Sequence, residues 1–119
     1  MPLCETALAV WEGSDQKRLL AAVEASLEHH DNTLKTAFKY DDHTSNSGYG
    51  GFFFWYDMRG RSEAISEIEN VDVRKRLQQK QREIVLSLPE IDGCFVDSHE
   101  LGRCYGTAMA LLTLARCND

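Results

Sequence analysis

The chain has 119 residues, of which 43% are apolar and 27% charged, with a formal net charge of −6 and a sequence pI near 5.1. That is the size and composition of one soluble globular domain spanning residues 1–119. The acidic balance excludes general nucleic-acid binding, which needs basic groups to displace counterions from phosphate, and it disfavours docking on anionic lipid.

Helices are predicted in chain order. The first is short, Leu3 to Trp11, and stops at Gly13. The second runs from Asp15 to about His29. Leu20, Val23 and Leu27 recur on one line, and Ser14 or Asp15 is placed to cap its start. Leu34, Ala37 and Phe38 suggest a further turn or two. Residues 41–51 are rich in Asp, Ser, Asn and Gly and read as a loop.

A third helix is expected from about Phe52 to Ile68, with Phe54, Met58, Ile65 and Ile68 on one face. Its first turn is apolar nearly all round, which predicts deep burial. Gly60 weakens its middle by about 1 kcal/mol relative to Ala. The fourth helix, Val71 to Leu88, is amphipathic: Val73, Leu77, Ile84 and Leu88 face one way, and Pro89 ends it. A loop, Glu90 to Asp97, leads to Ser98 as a cap and to a last helix, Leu101 to about Arg116. That helix has almost no polar face, so enclosure by protein is expected. Gly106, Ala108 and Ala110 are small enough to admit close neighbours.

No segment has the alternation of a strand. The fold class is therefore all-α, with about five helices arranged as α/α hairpins. Apolar and amphipathic helices alternate, which predicts apolar helices inside and amphipathic helices outside.

The stretch Leu86-Ser87-Leu88-Pro89-Glu90-Ile91-Asp92-Gly93-Cys94-Phe95 and the following Tyr105-Gly106-Thr107-Ala108-Met109-Ala110-Leu111-Leu112-Thr113-Leu114 resemble an outer helix, turn and inner helix of the terpenoid cyclase and protein prenyltransferase α/α-toroid repeat. Ser47 to Tyr56 resembles the start of an earlier inner helix. The resemblance implies a segment of about two and a half hairpins of a toroid, and a hydrophobic or isoprenoid ligand. It also implies either self-association or packing against the remainder of a larger chain. The family's Asp-x-Asp-Asp acid has no counterpart here, Asp41-Asp42-His43 being the nearest run. This favours a non-catalytic binding or assembly module. The alternative is the terminal part of a prenyltransferase-like or cyclase-like enzyme acting on isoprenoid substrates.

Three groups carry candidate chemistry. Asp57 with Arg61, and Arg59 with Glu63, lie four residues apart, so each pair shares a helix face. With Trp55, Tyr56 and Tyr105 nearby they could grip a diphosphate or cradle an isoprenoid chain. The plainer reading is intrahelical ion pairs beside a core aromatic run. In the prenyltransferases a zinc-binding Asp-x-Cys pair would fall on Gly102-Arg103-Cys104, where only the Cys is present. Beside it, Asp92, Cys94, Asp97 and His99 supply the donor types that zinc accepts. The plainer reading is a bend at Asp92-Gly93, with Cys94 and Phe95 packed inward and Asp97 or Ser98 as a helix cap. Finally, His29-His30-Asp31 and Asp41-Asp42-His43 read as solvated loop, since adjacent histidines point to different faces.

Of the four cysteines, none sits in a Cys-x-x-Cys pair, and Met1 to Glu5 lacks the basic start of a signal peptide. Reduced thiols and a cytoplasmic location are expected. The longest apolar run near the end, residues 108–115, is far shorter than the ~20 residues a membrane helix needs.

Overall fold

The structure is a computed structural model and describes residues 1–11, 13–30, 54–97 and 101–118. Among the described residues it holds five helices: α1 (Pro2–Val10), α2 (Gln16–His29), α3 (Phe54–Ser66), α4 (Val71–Leu86) and α5 (Gly102–Arg116). The expected turn at Leu34–Phe38, the loop at 41–51, Phe52, Phe53 and the Ser98 cap lie outside the described residues. Among the described residues, no helix is long and apolar enough to cross a membrane.

Local chemistry sets several boundaries. Asp15 caps α2 by accepting from the Arg18 backbone N–H at 2.8 Å, and Asn70 caps α4 by accepting from Val73 N–H at 3.1 Å. In both cases a short polar side chain satisfies a first-turn donor that has no partner within the helix.

The helices pack around α3, which contacts each of the other four. Two apolar clusters stack along it. One holds Leu19, Val23 and Leu27 of α2 with Ala64, Ile65, Ile68 and Leu77. The other holds Phe54, Trp55 and Met58 with Val85, Phe95 and Ala110. In the second, Trp55 sits edge-on to both Phe54 and Phe95, with ring centroids 5.3 Å apart in each pair. That is the geometry the ring quadrupoles favour.

The expected layering holds for α3 and fails for the other two apolar helices. α1 buries none of its residues, and Val10 and Trp11 stand in solvent. α5 buries only Gly106, Ala110 and Thr113, a stripe of small residues turned inward, while Leu111 is 59% and Leu112 46% exposed. Burial here follows position rather than composition. α3 contacts all four other helices, whereas α1 and α5 lie at the rim. The amphipathic α4 also departs from its expected face: Gln78 and Gln81 are buried beside Leu77 and Val85.

One close crossing fixes the loop before α5. A Cβ on Gly106 would fall 2.6 Å from the Phe95 carbonyl oxygen and 2.9 Å from Asp97 N. Only glycine lets the backbone of residues 95–97 lie on the helix here. Thr107 Oγ1 secures the same crossing by accepting from Phe95 N–H at 3.1 Å and donating to its carbonyl at 3.3 Å. Trp55 Nε1 donates to the Val96 carbonyl at 2.8 Å from the other side.

Candidate functional site

The residues grouped by sequence on α3 do not form one site. They divide among the core and two clefts on either side of Leu3, which lies over α3 at Gly60.

Trp55 is fully buried, with its indole N–H bonded to Val96, so it is a core residue. Arg61 is only 2% exposed. Its Nε donates to Gln81 Oε1 at 2.7 Å, one terminal nitrogen lies 3.2 Å from the Ser26 carbonyl and 3.4 Å from Ser26 Oγ, and the other meets Met58 Sδ at 2.8 Å. Gln81 Nε2 in turn donates to the Met58 carbonyl at 3.0 Å. This polar layer ties α3 to α2 and α4 where the two apolar clusters meet. The expected Asp57–Arg61 ion pair is replaced by these contacts. Arg59 and Glu63 do pair, at 2.6 Å, with both side chains partly exposed. Such a pair contributes little to stability.

The first cleft, of about 390 Å³, runs between α2 and α3 and is closed at one end by Met1, Pro2 and Leu3. Its α2 wall is Ala22, Ala25, Ser26 and His29, and its α3 wall is Phe54, Asp57, Met58 and Arg61. These positions recur at three- and four-residue spacing, so each set forms one helix face. The α2 face lies beside the Leu19/Val23/Leu27 face that fills the core. Asp57 sits at the mouth and makes no hydrogen bond or ion pair among the described residues. Asp57 is exposed to solvent on one side, and partial desolvation by the cleft on the other raises its pKa above the ordinary value, against the opposing fields of Arg61, His29 and the amino terminus.

The second cleft, of about 340 Å³, lies between α1, α3 and α5 and is lined by Leu3, Tyr56, Arg59, Gly60, Glu63, Tyr105 and Met109. It reunites four of the residues singled out from sequence. Its two charges, however, already neutralise each other. Desolvation, followed by the charge of Asp97, raises the pKa of Tyr105, which keeps the phenol protonated.

The residues proposed for zinc are occupied locally. Asp92 Oδ1 accepts from Cys94 N–H at 3.1 Å, and Oδ2 pairs with Arg103. The bend at Asp92-Gly93 forms as the plainer reading expects, with Gly93 at φ +81°, but Asp97 does not cap α5, which starts from Leu101 without a side-chain cap. Asp97 is buried, Cys94 is half-buried, and His99 lies outside the described residues. Among the described residues, no group of three or more His, Cys, Asp or Glu side chains is placed to hold a metal.

His30 corrects the solvated-loop expectation. It is 5% exposed, with its ring centroid 6.2 Å from that of Phe54, whereas His29 remains at the surface. All four cysteines are free thiols. Burial pushes the Cys117 thiol up to about 11, and its Sγ lies 3.3 Å from the Thr113 carbonyl, so it is an inert core group, while Cys4 and Cys104 are exposed.

No family model, curated protein or solved structure matches this chain.

Proposed function

We propose that this chain is a non-catalytic assembly module that pairs with a second copy of itself through α5. The observation that carries this reading is the outer face of that helix. Leu101, Cys104, Ala108 and Leu111 are all exposed and follow one another at spacings of three, four and three. That is the seam of a helix that packs lengthwise on another. The stripe continues through Leu112 and Ala115.

The order large, small, small, large reads the same in both directions. An antiparallel copy therefore meets it leucine to leucine at the ends and small residue to small residue in the middle, where the backbones approach. Self-complementarity of this kind is what a two-fold interface requires. The only charged residues on α5 are Arg103 and Arg116, and they lie at its two ends. Arg103 is already paired with Asp92. The seam itself is uncharged. A single helix pair buries less than the ~800 Å² per partner of a standard interface, so the dimer is weak and depends on concentration.

Kinship with the toroid repeats belongs to the same proposal. Its support is the packing of the two resembling segments on each other, with Phe95 held on Thr107. In a toroid, the next hairpin would cover the face that α5 leaves open.

Sedimentation velocity across a wide concentration range tests the proposal. The expected result is a monomer–dimer equilibrium that Leu111→Glu shifts to monomer without loss of helical circular dichroism. A monomer at every concentration, or a dimer that Leu111→Glu leaves intact, would overturn it.

A further inference from the structure

We infer that the cleft between α2 and α3 binds a small organic cation with an apolar tail, its head on Asp57 and its tail between Ala22, Ala25, Phe54 and Met58. This site is separate from the α5 seam and stands whether or not the chain dimerises.

Three features of the cleft lead to this ligand class. The first is its volume, about 390 Å³, within the range of sites that enclose small molecules. The second is the contrast of its walls. Ala22 and Ala25 leave room on the α2 side, while Phe54 and Met58 present apolar and polarisable surface on the α3 side. A tail placed there gains the free energy of leaving water. The third is the distribution of polar groups. Arg61 borders the cleft, but its guanidinium is held by Gln81, Ser26 and Met58, so turning it towards an anion would break contacts that join three helices. Asp57 has no such commitment among the described residues and lies partly desolvated at the mouth. Arg61, His29 and the amino terminus already place positive field on the carboxylate, but none of them bonds to it; an ammonium head would supply the direct charge-assisted hydrogen bonds that Asp57 does not make among the described residues. Charge-assisted bonds of this kind are about twice as strong as neutral ones. Aromatic surface from Phe54 lines the same space and also favours a cation.

The ligand's charge sign and its apolar part can be tested separately with three molecules that share one tail: 4-phenylbutylamine, 4-phenylbutanol and 4-phenylbutyrate. Isothermal titration calorimetry of the full chain at neutral pH should give the amine at least tenfold tighter binding than either of the others. Asp57→Asn, which keeps the shape of the side chain, should bring the amine down to the level of the alcohol and leave the alcohol unchanged. Ala22→Leu, which narrows the cleft and leaves Asp57 in place, should weaken amine and alcohol together. The ¹³C resonance of the Asp57 carboxyl should titrate at lower pH in the presence of the amine. Equal binding of all three compounds, tighter binding of the butyrate, or an amine affinity untouched by Asp57→Asn would overturn the assignment.

Discussion

Arg61 Nε donates to Gln81 Oε1 at 2.7 Å, and this bond joins α3 to α4 in the layer that separates the two apolar clusters. Both residues are buried, Gln81 completely. On each helix the polar residue falls between core positions: Met58 and Ile65 flank Arg61, and Leu77 and Val85 flank Gln81. A satisfied polar layer of this kind sets the register of the two helices, because sliding one along the other would leave buried donors and acceptors unpaired.

Arg61→Met should therefore destabilise the fold by about 1–3 kcal/mol, the cost of leaving buried partners such as Gln81 Oε1 unsatisfied. Urea unfolding followed by circular dichroism measures this. The double variant Arg61→Met with Gln81→Leu should cost less than the sum of the two single changes, since residues of one network couple. A single-variant loss below about 0.5 kcal/mol, the range of ordinary surface substitutions, would mean that Arg61 does not hold the helices together.

Gly106→Ala should destabilise even though alanine is the better helix former by about 1 kcal/mol. The new methyl would meet backbone atoms of residues 95–97, the nearest at 2.6 Å, and backbone cannot step aside as a flexible side chain does. Overpacking of this kind typically costs about 1–3 kcal/mol. Gly60→Ala is the control. There the nearest atom is the Leu3 Cβ at 3.2 Å, on an exposed-edge helix, and a smaller change in thermal midpoint is expected. Equal midpoints for wild type and Gly106→Ala would show that the loop does not rest on the helix.

The link between α1 and α2 should depend on pH. Ser14 Oγ donates to Glu5 at 2.5 Å and Arg18 pairs with the other carboxylate oxygen at 3.0 Å, and together they lower the Glu5 pKa below its ordinary 4.5. A carboxylate with a depressed pKa in the folded state adds stability that is fully present above the unfolded value and is lost as pH falls through the folded one. Glu5→Gln should thus lower the thermal midpoint at neutral pH, and the gap from wild type should close as the buffer is taken from pH 5 towards pH 3. A gap that stays constant across that range would remove the charge from the explanation.

Much of this architecture was legible from residue spacing alone. The 3.6-residue periodicity of Leu20, Val23 and Leu27, the cap at Asp15, the amphipathic pattern from Val71 and the stop at Pro89 located α2 and α4 to within a residue or two. They do so because helix formation and termination are governed by neighbours three or four positions away. The bend at Asp92-Gly93 and the Arg59–Glu63 pair were readable for the same reason.

The tertiary structure alone decided which faces met. Composition made α1 and α5 look like core helices, yet burial depends on how many neighbours an axis has, and among the described residues only α3 contacts all four other helices. Asp57, Arg59, Arg61 and Glu63 appeared as one cluster because they are close in sequence. Leu3, lying over Gly60, divides their surroundings into two clefts and leaves Arg61 in the polar layer between the core clusters. Ser26, Ala22 and Ala25 carried no signal of their own, since small residues at helical spacing mark a site only when another helix stands opposite. Local sequence determined where the helices begin and end. The long-range packing of α1, α2, α4 and α5 on α3 determined which side chains are structural and which remain available to bind.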